Sequence, residues 1–327
     1  MPIETRCLYL AIIYKYNVSS RITEQQTAYE KSQVLAKYAM GAMRLNEVRL
    51  SHVQAYINLR ENMSGTTIVK YSSVLKSMFK AALQERLIIY DPCVSMKNPK
   101  HAPKGRHKYL DQEIQDLIDS TWREHLFGPA MMLMMHAGLR ISEVMAFDCD
   151  KHIDWDRHMI KVEAAAKRTT DKEKKVKTSL PKYDSIGESP IDTALEEVLH
   201  GRHGHILVNS RGKNKDKPAY YEFYQSMFKG YKDFLEMKLN GVKKCKASDE
   251  QLANWKVVAL RTHDGRVTFT TNSIEKGAAL ETVRRFTRHK SLSVMLDSYV
   301  QQSSKAAQED IEKITGRKKE HADEKDE

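Results

Sequence analysis

The sequence predicts a mainly α-helical protein with a small β-sheet, arranged as a helical N-terminal domain followed by a mixed α/β domain. Three observations carry that prediction. Within Gly65 to Leu87, the residues Ile68, Tyr71, Leu75, Met78, Phe79, Ala82 and Leu83 fall on one stripe of a helix. From Lys97 to Arg106 the chain is rich in proline, glycine and positive charge and has no apolar period, as expected of an exposed linker. The clear β signal is confined to the second half, where Ile153–Trp155 and Met159–Val162 flank an Asp156-Arg157-His158 turn.

The N-terminal domain is assigned to residues 1–95, with further helices expected at Thr23–Met43 and Leu45–Asn62. The chain has 327 residues and a formal net charge of +11. Residues 1–104 hold 15 Lys/Arg against 7 Asp/Glu, so most of the positive excess lies there. Such an excess on a helical domain suits a phosphate backbone, and nucleic acid is the usual anionic partner. The break at Asp91-Pro92 leads into the linker, set at residues 96–107.

The second domain is set at residues 108–315. It opens with a helix at Asp111–Glu124, with Asp111 as its N-cap and Ile114, Leu117 and Ile118 on its buried face. Phe127–His136 is apolar all round and reads as a buried helix, which Gly138 ends. After the hairpin come a lysine-rich stretch, Lys167 to Lys182, a third strand near Ser185–Ile191 and a short strand at Ile206–Val208. The rest returns to helix at Tyr220–Leu239, Asp249–Val258, His263–Lys276, Leu280–Thr287 and Ser291–Tyr299, with Gly277 as a stop signal. Residues 316–327 form a polar tail with the composition of a disordered segment.

Several classes are set aside. The four cysteines form no C-x-x-C pair, which argues against a cysteine-based zinc site and fits a reducing cytoplasm. His200, His203 and His205 form an H-x-x-H-x-H cluster with no carboxylate or cysteine to complete a metal shell, so no metal and no cofactor are assigned. The longest apolar stretch, Phe127 to Leu139, is shorter than the roughly 20 residues of a membrane span.

Cleaving a phosphodiester without metal requires an in-line nucleophile, fixed cations for the non-bridging oxygens and a proton for the leaving oxygen. The C-terminal half carries such a set. Thr262-His263-Asp264-Gly265-Arg266-Val267-Thr268-Phe269 leads into a helix, with His263 and Arg266 one turn apart. Arg288-His289-Lys290-Ser291 and then Asp297-Ser298-Tyr299 follow, and Ala137-Gly138-Leu139-Arg140-Ile141-Ser142-Glu143 stands upstream. Four such pieces, in this order and spacing, resemble the tyrosine recombinase (phage integrase) family, with its A-G-L-R-[IP]-S-E, H-x-[LR]-R-H-T-F-A-T and G-H boxes and its C-terminal tyrosine.

The resemblance spans roughly residues 108–310 by motif. It implies that Arg140 and Arg266 clamp the scissile phosphate and that His263 and His289 contact it, His263 also taking the tyrosine proton. Tyr299 would form a 3′-phosphotyrosyl link, and Glu143 would orient active-site groups, His263 among them. A lysine of the β-hairpin region would protonate the 5′-oxygen. Lys167, Lys172, Lys174, Lys175, Lys177 and Lys182 compete for that role; Lys182 is favoured, on its spacing to Ser185 and Pro190, with Lys177 next.

The sequence departs from the family pattern at Gly265, where an apolar residue is usual, at Val267 and at Arg288, which replaces the glycine before the last histidine. The step from His289 to Tyr299 is one residue longer than the common one. The implied protein is a C-shaped clamp of a core-DNA-binding domain and a catalytic domain on double-stranded DNA with specific core sites. It would act as a homo-tetramer through a Holliday junction, with accessory DNA-bending proteins as further partners. A C-terminal helix at residues 301–315 would dock on a neighbouring protomer. The expected setting is the cytoplasm, at the nucleoid of a prokaryotic cell or in its virus or mobile element. A type IB topoisomerase and a catalytically silent DNA-binding accessory protein are the competing readings.

Overall fold

The computed structural model describes residues 42–99, 109–167, 177–181, 185–210 and 215–299, and at positions 66, 167, 177, 258 and 297–299 the backbone alone. The expected helix at Thr23–Met43, the C-terminal helix at residues 301–315, the tail and most of the linker lie outside the described residues. The chain divides into two compact units, Met1–Gly105 and Arg106–Glu327.

In the first unit a 3₁₀ turn, Leu45–Glu47, precedes helix α1, Leu50–Asn58, and the long helix α2, Gly65–Gln84. The single helix expected at Leu45–Asn62 is thus divided, and ends four residues early. Ser64 starts α2, its Oγ accepting from the backbone N–H of Thr67. Val53, Tyr56 and Ile57 of α1 bury against Ile68, Leu75, Met78, Phe79 and Ala82 of α2, the stripe that the periodicity picks out. The Arg60 side chain is buried here, 3.6 Å from the Tyr56 ring and 4.8 Å from that of Tyr71. Gln54 exchanges two hydrogen bonds with the Lys97 backbone, which fastens the start of the linker to this unit.

The second unit is organised on one apolar helix. Helix α3, Gln112–Thr121, passes through a 3₁₀ turn at Trp122–Glu124 to α4, Gly128–His136, whose residues Gly128 to Met135 are all buried. Asp111 holds the N-cap position of α3 without a side-chain capping bond. Gly138 turns the chain with φ of 63° into α5, Ile141–Ala146, and α6, Cys149–His152. Strands β1, Ile153–Asp154, β2, Met159–Val162, and a later strand, Gly187–Pro190, form an antiparallel sheet with β2 in the centre. Between them β3, Ala165–Lys167, pairs with β4, Lys177–Ser179, placing Lys167 opposite Lys177; Gly187–Pro190 is therefore β5.

Helices α7, Thr193–Leu199, and α8, Tyr221–Asn240, cover α4 and its neighbours through Leu195, Val198, Leu199, Tyr231 and Leu235. Helices α9, Asp249–Ala253, α10, Thr262–Glu275, α11, Leu280–Thr287, and α12, Leu292–Tyr299, complete the unit. Helix α10 lies against α4, and Gly265 allows the close approach: a Cβ there would sit 3.0 Å from Met131 Cε and 3.1 Å from Met134 Cβ.

Two expected elements differ. Ile206–Val208 is not a strand: Ile206 and Leu207 are buried, but the segment is held by isolated bridges, with only two backbone bonds to residues 217–219, Ala219 N–H to Leu207 and Asn209 N–H to Lys217, and Asn209 Nδ2 adding bonds to the Lys217 and Pro218 carbonyls. The helix expected at Asp249–Val258 stops at Ala253 and resumes as a 3₁₀ turn at Val257–Ala259, whose first N–H is taken by the buried Glu236 carboxylate. No helix among the described residues is long and apolar enough to cross a membrane.

Candidate active site

Arg140, Arg266 and Arg288 reach Glu143 from three separate elements. Arg140 is the N-cap of α5, and its backbone N–H donates to Glu143 Oε2 at 2.8 Å while its Nη1 donates to Oε1 at 2.7 Å. Arg288 Nη2 donates to Oε2 at 2.7 Å, and Arg266 Nη1 lies 3.9 Å from the same oxygen. Arg266 is fixed further by a 2.5 Å bond from Nη1 to the carbonyl of Gly138. The side chains of Arg266 and Arg288 are 1% and 2% exposed, whereas that of Arg140 is 19% exposed. Arg140 is thus the cation of the three that opens outward.

Burial alone would raise the Glu143 pKa. The charges of Arg288, Arg266 and Arg140, with the Arg140 N–H, more than reverse this and bring it down to about 2. Burial, then Arg140, pushes the Arg266 pKa down; Glu143 opposes the fall and Arg288 adds to it. A guanidinium nonetheless keeps its proton. Three guanidinium charges against one carboxylate leave an excess of positive charge, fixed in a dry setting, which an anion would neutralise.

His289 follows the end of α11 and lies beside this cluster. Its Nε2 is 3.5 Å from Arg266 Nη2 and its Nδ1 is 2.8 Å from Thr287 Oγ1. Arginine only donates, so Nε2 is the acceptor and Nδ1–H donates to Thr287. Burial first, then the charges of Arg266, Arg140, His263 and Arg288, lowers the His289 pKa to about 3. His263 is half-buried in the first turn of α10, one turn before Arg266. A cleft of about 440 Å³ opens beside the cluster, with Arg284, Arg285, Arg288, His289 and Lys290 on one side and Gly187 and Glu188 of β5 on the other.

The structure brings together Arg140, Glu143, Arg266 and His289 of the sequence-derived set. Lys182 lies outside the described residues. Tyr299 ends α12, which packs on both α10 and α11 with Met295 buried; its side chain is outside the description, as are those of Lys167 and Lys177. Two residues of the cluster were not singled out by sequence. Sequence marks Arg288 only as a departure from the family glycine and assigns Thr287 no role in the site. The histidine cluster disperses: His203 pairs with Asp150 at 2.7 Å, His205 Nδ1 faces the Phe147 carbonyl at 3.0 Å, and His200 packs on Trp155.

Residues 111–306 match the phage integrase family. The chain belongs to that family. It is 22% identical over 274 residues to a "tyrosine recombinase XerC-like" protein of Caldanaerobacter subterraneus subsp. tengcongensis, covering 79% of this chain and 68% of that one. A "tyrosine recombinase XerD" of Listeria monocytogenes is 23% identical over 247 residues, covering 72% of this chain and 71% of that one. The fold is similar to that of the Tn1549 transposon integrase in complex with a circular intermediate DNA, with a TM-score of 0.73 at 16% identity over 94% of this chain and 99% of that one. A lambda integrase dimer bound to a core site gives a TM-score of 0.56 at 14% identity, covering 97% of this chain and 80% of that one.

This phage integrase family member is a tyrosine recombinase, an enzyme that cleaves and rejoins DNA strands in site-specific recombination. The recombinase fold, mainly helical with small sheets, is the one the sequence predicts. Its departure from the family G-H box has a structural basis. Arg288 sits in the left-handed region, φ 53°, where glycine is the relaxed choice, and sends its side chain inward to Glu143.

Proposed function

We propose that this recombinase exchanges DNA strands at specific core sites of double-stranded DNA through a 3′-phosphotyrosyl link to Tyr299. The convergence of Arg140, Arg266 and His289 around Glu143 carries the reading. Arg140 and Arg266 supply fixed donors for the two non-bridging oxygens of a phosphate, and Tyr299 belongs to a helix packed on α10, which bears Arg266, and on α11, which His289 follows.

In the first step Tyr299 Oη attacks phosphorus, its proton passing to His263. The bond to the 5′-oxygen breaks, and that oxygen takes a proton from Lys182. Arg140 and Arg266 hold the charge that builds on the phosphate, and neutral His289, whose Nδ1–H is held by Thr287 in the free enzyme, shifts its proton to Nε2 to donate to it, with Nδ1 then accepting from Thr287. In the second step a 5′-hydroxyl from the partner duplex attacks the phosphotyrosyl phosphorus and releases Tyr299. The energy of the broken bond is retained throughout, so no nucleotide cofactor is needed. Two rounds of exchange pass through a Holliday junction, which places four protomers on two sites, with accessory DNA-bending proteins aiding synapsis at the nucleoid. In this reading residues 1–95 form the core-DNA-binding domain, 96–107 the linker and 108–315 the catalytic domain, and the two domains clamp the duplex.

A nicked suicide substrate made from the element's own ends tests this. Wild type should form a covalent DNA–protein adduct that survives denaturing electrophoresis, and Tyr299→Phe should not. An adduct persisting in the variant would assign the nucleophile elsewhere. A wild type that binds the site and yields no adduct would overturn the catalytic reading.

A further inference from the structure

Arg288 stands in a costly place for a large residue. Its backbone is left-handed, and its guanidinium is drawn into the protein beside two other arginines. The surroundings are shaped to receive it. Gly187 on β5 leaves room for the stem: a Cβ there would lie 3.2 Å from Arg288 Cγ and 3.3 Å from Cδ. Nη1 donates to Ser189 Oγ at 2.8 Å and to the Phe286 carbonyl at 2.5 Å, while Nη2 donates to Glu143 at 2.7 Å. Ser189 Oγ in turn donates to the Phe286 carbonyl at 3.0 Å. The backbone carbonyl of Arg288 accepts from Arg140 Nη2 at 3.2 Å. One residue therefore ties the central sheet, the end of α11 and the first turn of α5 to one another, immediately before His289.

We infer that Arg288 is a positioning residue for strand cleavage: acting through Glu143, its side chain holds Arg140 and Arg266 in the arrangement that receives the scissile phosphate. The inference rests on the recombinase reading above. A glycine at this position would relax the backbone and leave Glu143 with one fewer donor. Oε2 would then keep only the Arg140 N–H, so the Glu143 carboxylate would shift toward Arg266 and carry the Arg140 guanidinium with it. A displacement of this kind acts on the rate of the chemical step more than on DNA affinity, because most contacts that hold a duplex are made elsewhere along its backbone.

The test compares wild type, Arg288→Gly, Arg288→Lys, Glu143→Gln and the double variant Arg288→Gly/Glu143→Gln. Single-turnover cleavage of a nicked site is measured beside the Kd for the intact site. Arg288→Gly should slow cleavage by about tenfold or more while the Kd changes by less than about threefold. Arg288→Lys, which restores a cation to Glu143, should recover part of the rate. In the Glu143→Gln background Arg288→Gly should cost nothing further, since its route of action is already cut. Equal cleavage by wild type and Arg288→Gly, or rate losses that multiply in the double variant, would overturn the inference. If wild type itself forms no adduct, the recombinase reading fails rather than this one. The same cycle is then read in the midpoint of urea unfolding, where non-additivity supports the Arg288–Glu143 coupling and additivity rejects it.

Discussion

The carbonyl oxygen of Gly138 accepts a 2.5 Å hydrogen bond from Nη1 of Arg266, 128 residues further along the chain. The turn that leads into Arg140 thereby also anchors the second arginine of the cluster. Gly138 has φ of 63°, and a Cβ at that position would lie 2.5 Å from Cδ1 of Phe269. Gly138→Ala should therefore strain the backbone and drive a methyl into a buried ring, at a cost of roughly 2–4 kcal/mol. Urea unfolding measures this directly. Wild-type stability in the variant would mean that the turn relaxes without loss, and Arg266 would then have no need of this anchor.

Glu143 counters the charges of Arg266 and Arg288, which are buried with it. Glu143→Gln should cost about 3 kcal/mol near neutral pH, since it leaves those charges without an anion. The effect has a defined pH window. The folded pKa is about 2 against an ordinary value of 4.5, so the stabilisation is fully present above about pH 4.5 and fades as the pH falls toward 2. Wild type and variant should thus converge in acid, and a stability gap that stays constant from pH 6 to pH 3 would contradict the assignment.

Much of the site is legible in the sequence because the chemistry fixes residue types at short spacings. The pairs Arg140–Glu143 and His263–Arg266 are each one helical turn apart, so a local pattern encodes them. Arg288 is different. Its partners Ser189 and Glu143 lie 99 and 145 residues away, and no local pattern reports a slot prepared by Gly187 on another strand. The helix boundaries near the site follow the same division. Leu280–Thr287 is read directly from its period and the preceding Gly277. Ile206–Val208 has the composition of a strand, yet its backbone pairing with residues 217–219 stops after two bonds, a long-range limit that no local pattern reports.

His136, in the last turn of α4, bridges Asp119 at 2.9 Å and Asp192 at 2.7 Å. Burial disfavours its charge, but the hydrogen bonds and charges of the two carboxylates prevail and raise its pKa to about 9. A folded pKa above the ordinary 6.5 gives stability that is complete below pH 6.5 and is lost as the pH rises through about 9. The loss should be on the order of 2–3 kcal/mol, since both carboxylates remain partly exposed. Thermal unfolding from pH 6 to pH 10 should show it in wild type and not in His136→Gln. Parallel curves for the two proteins would remove His136 from the account.

His289 is held neutral by its setting, with a pKa of about 3, and its ring is oriented by Thr287. Two consequences separate it from a cationic phosphate ligand. In the free enzyme its imidazole should not titrate between pH 5 and 8, which nitrogen NMR of histidine-labelled protein reads directly. Because the folded pKa lies below the ordinary 6.5, its contribution to stability is present above pH 6.5 and declines as the pH falls toward 3. Thr287→Val removes the hydroxyl that holds the ring through Nδ1 and supports a proton on Nε2, so cleavage should fall by about tenfold with DNA affinity retained. A His289 signal that titrates near 6.5 would mean that burial and the neighbouring arginines do not bear on the ring as the geometry requires, and a Thr287→Val enzyme that cleaves like wild type would remove Thr287 from its orientation.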